Sequence, residues 1–271
     1  MLDPLLHLPQ AVRDAAYDNT RAVANSAQQL ADFEVRSVAL AAHPQARLDV
    51  PYGPLPRQLL DYWTGDAGAP TLLFIHGGYW QMRHKNTFRF VAEGALQRGV
   101  HAALMGYTLA PQARLTQIVH EVQQGIAAVR QQALAAGGNG RILLCGWSAG
   151  GHLTAMGLAC DGVVAGLGLS GIYALEPVRH TYLNQALQLT QAEVEQLSPL
   201  RLPVVDKPLV LAYGTAELAQ LQAQSLALAQ HRRAAPGTCL AVPGADHFSI
   251  LNALADPQGV ALQALLVLGG Q

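Results

Sequence analysis

Residues 141–152 read Arg-Ile-Leu-Leu-Cys-Gly-Trp-Ser-Ala-Gly-Gly-His. Residues 142–145 are an apolar run of strand length, and residues 153–160 carry a helical pattern. Between them stands Gly146-Trp147-Ser148-Ala149-Gly150, a Gly-x-Ser-x-Gly sequence in the strand, turn, helix setting of a nucleophile elbow. The glycines flank the serine because a side chain at either place would collide with the neighbouring strand or helix. A tight Gly-rich connection whose serine merely caps the helix is the plainer alternative. The strand before and the helix after favour the elbow.

The 271 residues are enough for a large core, and 51% are hydrophobic against 13% charged. A net charge of -1 implies no polyanionic partner, so no nucleic acid is expected. Cys145, Cys160 and Cys239 are odd in number and lack metal-ligand spacing, which reads as reduced thiols. Met1-Leu2-Asp3-Pro4 lacks a cationic stretch leading into an apolar one, and no run reaches the length of a membrane span. A cytoplasmic location away from membranes is the expectation.

Upstream of the elbow, residues 1–45 carry Val12, Ala15, Ala16 and Val23 at helical spacing and read as one or two helices. Residues 46–50 and 58–63, separated by Tyr52-Gly53-Pro54-Leu55-Pro56, read as an antiparallel hairpin at a sheet edge. From Thr71 on, apolar strands at 72–75, 102–107, 142–145, 163–169, 208–213 and 238–242 alternate with helical segments at 86–98, 115–135, 153–160, 217–233 and 258–267. That alternation is the pattern of an α/β fold with a mostly parallel sheet covered on both faces. Residues 173–200 interrupt it with a polar, helix-compatible insertion. No repeat or linker divides the chain, so residues 1–271 are expected to form one domain, with 1–45 and 173–200 as a small helical cap.

A serine hydroxyl needs a base to take its proton and an acid to orient that base. Ligands of such sheets gather at the carboxyl ends of the strands, so the partners are sought after the last two. Gly214-Thr215-Ala216-Glu217 follows one, and Pro243-Gly244-Ala245-Asp246-His247-Phe248 follows the other. The order Ser148, Glu217, His247 matches this architecture. Glu217 read as an ordinary first-turn helix acid is the plainer alternative. Asp246 and Asp206 are the rival acids: the first adjoins the histidine and aims at it poorly, and the second precedes its strand.

The oxyanion of such a reaction needs preorganised N–H donors, and His76-Gly77-Gly78-Tyr79-Trp80 supplies them after the first parallel strand. Gly77 and Gly78, with the N–H of Ala149, are the expected hole. His76 is expected to brace the loop rather than carry protons. His7, His43, His101, His120, His180 and His231 are expected on surfaces or helices without partners, while His84 and His152 lie near the site in sequence. No histidines stand at ligand spacing with a third ligand, so no metal is expected.

The stretches His76-Gly77-Gly78-Tyr79-Trp80-Gln81, Gly146-Trp147-Ser148-Ala149-Gly150-Gly151-His152 and Asp246-His247-Phe248 together resemble the kynurenine formamidase, or arylformamidase-like, branch of the α/β-hydrolase superfamily. The resemblance extends to Tyr107-Thr108-Leu109-Ala110-Pro111, to Ser170-Gly171-Ile172-Tyr173 and to Tyr17-Asp18-Asn19. Glu217 stands where many relatives carry Asp; its extra methylene requires the loop to retreat slightly. The resemblance implies an α/β-hydrolase fold and cofactor-free hydrolysis of an N-formyl aryl amide such as N-formylkynurenine, a step of tryptophan catabolism. Tyr79, Trp80, Trp147, Tyr173 and Phe248 flank the catalytic positions and would line an aromatic pocket, ordinary core packing being the alternative for each. A carboxylesterase acting on short esters would use the same residues. A binding module on this fold would have no need of all three, and a homodimer is compatible with the reading.

Overall fold

The computed structural model describes residues 4–271; residues 1–3 of the expected N-terminal helical segment lie outside the described residues. After a 3-10 turn at Pro4–His7 come the helices α1 (Gln10–Ala15), α2 (Asn19–Ala22) and α3 (Ser26–Ala41). Strands β1 (Ala46–Pro51) and β2 (Leu59–Trp63) form the antiparallel hairpin, and β3 (Thr71–Ile75) begins the parallel part. There follow α4 (Ala92–Gln97), β4 (His101–Met105), α5 (Leu115–Ala135), β5 (Ile142–Trp147), α6 (Ala149–Gly157) and β6 (Val163–Leu169). The insertion folds into the short helices α7 (Glu176–Arg179), α8 (Asn184–Leu187) and α9 (Gln191–Leu197). The chain closes with β7 (Leu209–Gly214), α10 (Ala219–His231), β8 (Gly237–Val242), α11 (Asn252–Ala255) and α12 (Val260–Leu268).

The eight strands form one sheet in the order β1-β2-β4-β3-β5-β6-β7-β8. β2 pairs antiparallel with both neighbours, and every other pairing is parallel. Successive residues of a strand point to opposite faces, so two separate cores form. Leu73 and Ile75 join the core that holds Ile118, Val122, Ile126 and Val129 of α5. Leu72 and Phe74 join the one that holds Phe33 of α3 and Leu262 and Leu265 of α12. This is the mostly parallel, doubly covered sheet that the alternation predicts, and it agrees with the α/β-hydrolase fold that the resemblance implies. Among the described residues no single helix is long and apolar enough to cross a membrane.

Register brings the functional loops to one end of the sheet. Ile75 pairs with Gly146, Trp147 with Leu169, Leu169 with Ala212, and Gly214 with Val242. The loops carrying Gly77, Ser148, Ser170, Glu217 and His247 therefore leave the sheet side by side.

Besides shifts of a few residues at element ends, the following local features differ from the sequence expectation. α6 starts at Ala149 rather than 153, because the turn ends at Ser148 itself. Residues 86–98 divide into a 3-10 helix, Lys85–Val91, and α4; the Phe90 N–H donates to Ser37 Oγ of α3 at 3.1 Å. His101, expected on a surface, is buried against the Tyr62 hydroxyl at 3.0 Å and the Asp66 carbonyl at 3.0 Å.

Candidate active site

Ser148 has φ 57° and ψ -118°, in the left-handed region that a residue with a side chain adopts at a cost of roughly 1–3 kcal/mol. Its N–H donates to the Leu169 carbonyl at 2.8 Å, and its carbonyl accepts from Gly151 at 2.9 Å. The flanking glycines make the turn fit. A Cβ on Gly146 would lie 2.2 Å from the Gly150 carbonyl oxygen, and one on Gly150 would lie 2.0 Å from that of Ile75. Ser148 is only 2% exposed.

Glu217 and His247 are brought together across the ends of β7 and β8. Glu217 Oε2 lies 3.7 Å from His247 Nδ1, longer than a hydrogen bond, and neither atom has a hydrogen-bond partner among the described residues. The other carboxylate oxygen, Oε1, accepts the Gly214 N–H at 3.0 Å and the Ser170 hydroxyl. Glu217 precedes α10 by two residues, so it lies in the turn rather than in the helix. Asp246 is engaged elsewhere: Oδ1 accepts the N–H groups of Phe248 and Ser249, each at 2.8 Å, and Oδ2 accepts Gln29 Nε2 of α3 at 2.8 Å. Asp206 lies in the loop before β7, at the opposite end of that strand from Glu217.

Residues 76–80 run beside the elbow, where a Cβ on Gly77 would lie 2.9 Å from Ser148 Cβ. Among the described residues the N–H groups of Gly77, Gly78 and Ala149 donate to no turn or loop carbonyl. The loop is anchored through His76 and Tyr79. His76, fully buried, stacks on Tyr107 at 4.5 Å; its Nδ1 meets the Gly77 carbonyl at 2.7 Å, and its own carbonyl accepts the Tyr107 hydroxyl at 2.9 Å. Burial pushes its pKa down to about 3, so it stays neutral. The Tyr79 hydroxyl donates to the Tyr17 carbonyl at 2.5 Å. Beyond the loop, buried Lys85 donates to Asp61 at 2.6 Å and to Asp49 at 2.7 Å, while Arg89 Nε reaches the other Asp61 oxygen at 2.8 Å.

The five aromatic residues divide between the two cores. Tyr79, Trp80 and Tyr173 belong to one core, Trp147 and Phe248 to the other, and all are buried. Trp147 donates its indole N–H to the His247 carbonyl at 2.7 Å, bracing the histidine loop from the elbow. The Tyr173 hydroxyl lies 2.1 Å from where a Gly168 Cβ would stand, so its ring rests on β6. Trp80 meets the ring of His152 edge-on at 5.0 Å, and its Nε1 has no partner among the described residues. His152 Nε2 meets the Leu197 carbonyl at 2.7 Å, and burial pushes its pKa down to about 4. His180, expected without a partner, contacts Glu176 at 2.9 Å.

Sequence reading left Ser170, Gln29, Lys85 and Asp61 without roles. Ser170 had a signal, since it follows β6 at the sheet end where Ser148 and Glu217 also emerge. Gln29 and Asp61 act on residues far away in the chain and had none.

A buried serine beside free N–H donors, with a histidine facing a carboxylate, has the parts for acyl transfer. The family model BD-FAE matches residues 63–166. A kynurenine formamidase from Salmo salar is 31% identical over 247 residues, covering 84% of this chain and 83% of that protein. Among solved structures, a candidate thioesterase from Silicibacter superposes with a TM-score of 0.84 at 25% identity, covering 93% of this chain and 98% of the other. Esterase B from Lactobacillus rhamnosis superposes with a TM-score of 0.72 at 19% identity, covering 96% of each chain.

Proposed function

The chain belongs to the kynurenine formamidase family, and from that premise we propose that it cleaves N-formyl aryl amides resembling N-formylkynurenine to an aryl amine and formate. With esterases as structural neighbours, it is a hydrolase acting on amides or esters; the formamide is the proposed choice between them. The observation that carries the hydrolytic reading is the approach of His247 Nδ1 to Glu217 Oε2, the oxygen of that carboxylate that has no hydrogen-bond partner among the described residues; the likeness to a kynurenine formamidase supports the formamide.

Ser148 Oγ attacks the formyl carbon while His247 takes the hydroxyl proton, and Glu217 stabilises the imidazolium that forms. The N–H groups of Gly77, Gly78 and Ala149 receive the oxyanion. As the C–N bond breaks, His247 returns the proton to the aryl nitrogen, and the amine leaves. Water then attacks the formyl-enzyme, giving its proton to His247, and the Ser148 oxygen departs with that proton as formate is released. An aniline leaves more readily than an alkyl amine, and a formyl carbon carries only hydrogen, which suits a serine as enclosed as Ser148. Trp80 is retained as the aromatic substrate contact; Tyr79, Trp147, Tyr173 and Phe248 are assigned to bracing.

The free thiols of Cys145, Cys160 and Cys239 support a reducing, cytoplasmic setting. These steps call on no cofactor, nucleic acid, membrane or second subunit. The deciding experiment compares kcat/KM for N-formylkynurenine, followed by formate release, with that for p-nitrophenyl acetate. Efficient formamide turnover is expected. Ester turnover alone would transfer the reading to the carboxylesterase that the structural neighbours favour.

A further inference from the structure

β6 lies between β5, which delivers Ser148, and β7, which leads to Glu217. The residue that leaves its end, Ser170, is fully buried and stands in the left-handed region at φ 50°, as Ser148 does at φ 57°. The peptide joining Leu169 to Ser170 is tied to both neighbours: its carbonyl accepts the Ser148 N–H at 2.8 Å, and its N–H donates to the Ala212 carbonyl at 2.7 Å. On the elbow side a Cβ on Gly151 of α6 would lie 2.8 Å from Gly171 Cα, so the turn after Ser170 packs against the helix that follows the nucleophile. A residue with a side chain keeps a left-handed backbone only where its surroundings impose it, and such residues gather at working sites.

The strained backbone aims the Ser170 side chain at Glu217. An ionised carboxylate only accepts, so the Ser170 hydroxyl donates its one proton to Glu217 Oε1. The same oxygen accepts the Gly214 N–H at 3.0 Å, which leaves Oε2 facing His247 Nδ1 at 3.7 Å. The Glu217 side chain is wholly out of water, where a carboxylate stays charged only if donors replace its hydration. One donor would let the carboxyl group turn about that bond; a second on the same oxygen restricts the turning. We propose that Ser170 is a positioning residue of the hydrolytic reaction, acting through Glu217 to hold Oε2 toward His247 while the imidazolium forms. This rests on the roles given above to Ser148, Glu217 and His247. It does not depend on the choice between formamide and ester, because His247 moves the proton in either, and the effect belongs in kcat rather than in KM.

The test compares kcat, KM and Tm for the native protein, Ser170→Ala, Ser170→Gly, Glu217→Gln and the double variant Ser170→Ala with Glu217→Gln, on N-formylkynurenine and p-nitrophenyl acetate. Loss of the donor is expected to lower kcat about ten- to hundred-fold on each substrate that the native protein turns over, with KM within about twofold. Alanine keeps the strained backbone and glycine relieves it, so Ser170→Gly is expected to have the higher Tm of the two and to be as slow. A rate that recovers with Tm would make Ser170 a merely structural residue and overturn the inference. In the Glu217→Gln background, removing the Ser170 hydroxyl is expected to change kcat less than about threefold, because the carboxylate it holds is gone. Losses that multiply would show Ser170 acting independently of Glu217 and overturn the inference, as would a native kcat in Ser170→Ala. A slow Glu217→Gln beside a fast Ser170→Ala overturns the inference alone; a Glu217→Gln with native kcat, or a native protein that turns over neither substrate, overturns the underlying reading with it. Turnover of the ester alone would retire the formamide, and the same ratios would then be read on the ester.

Discussion

The turns that follow β7 and β8 each carry a carboxylate into the same corner of the molecule, and their hydrogen bonds differ. Asp246, next to His247 in sequence, spends both oxygens on the Phe248, Ser249 and Gln29 donors. Burial alone would raise its pKa, but the hydrogen bonds from Ser249, Gln29 and Phe248 outweigh it and hold the carboxyl below its ordinary value. Glu217, thirty positions earlier, has one oxygen fixed by Gly214 and Ser170 and the other directed at His247. In the proposed reading the acid that serves the histidine is the one with an uncommitted oxygen, not the one adjacent in sequence. Asp246 shapes the loop, while Glu217 is left with something to offer.

The contrast presumes that both turns serve Ser148. Ser148→Ala is expected to lower kcat by about 10⁶ and to abolish labelling by a fluorophosphonate probe; labelling that persists would place the nucleophile elsewhere. Glu217→Gln keeps the volume and removes the charge, and should lower kcat by about 10⁴. Asp246→Asn should stay within about tenfold of native kcat, its main cost appearing as a lower Tm through the weakened Gln29 contact. Measuring kcat for this pair of variants breaks the comparison if their order reverses.

Asp61 is a carboxylate committed further still, buried beneath Lys85 and Arg89. Lys85→Met would leave that charge short of a partner, and is expected to cost about 3–5 kcal/mol of stability in denaturant unfolding. A loss under about 1 kcal/mol would show that Arg89 alone compensates the Asp61 charge.

Histidines repeat the contrast more weakly. His76 and His152 are bonded to carbonyls, and burial pushes them down to about 3 and about 4, from an ordinary 6.5. Below pH 6.5 the unfolded chain binds protons at these sites that the folded chain refuses. Stability should therefore fall as pH drops from 6.5 toward 4, by up to about 1.4 kcal/mol per pH unit for each histidine. Unfolding free energies at pH 7 and pH 5 test this, and His152→Gln should flatten the slope. A flat native profile would mean that neither ring stays neutral.

The alternation of strands and helices was legible because each element buries a simple periodic pattern. α5, at Leu115–Ala135, matches its expected bounds. Ser148, Glu217 and His247 could be proposed because strand ends fix where functional loops emerge. The hydrogen bonds between loops were not legible. Ser170 reaches Glu217 across 47 positions, Asn19 reaches Tyr79 across 60, and Gln29 reaches Asp246 across 217. No local pattern encodes such contacts, since they depend on how segments dock. For the same reason the aromatic residues near the motifs fell into two cores: proximity in sequence does not say which face of the sheet a ring will join.

Proton NMR of the Nδ1–H of His247, in protein inhibited at Ser148 by a boronic acid, tests the central claim most directly. A downfield resonance is expected in the native protein and in Asp246→Asn, and it should vanish in Glu217→Gln. A resonance that survives Glu217→Gln and disappears in Asp246→Asn would show that the histidine takes the neighbouring aspartate as its partner, contrary to the geometry at Glu217 Oε2.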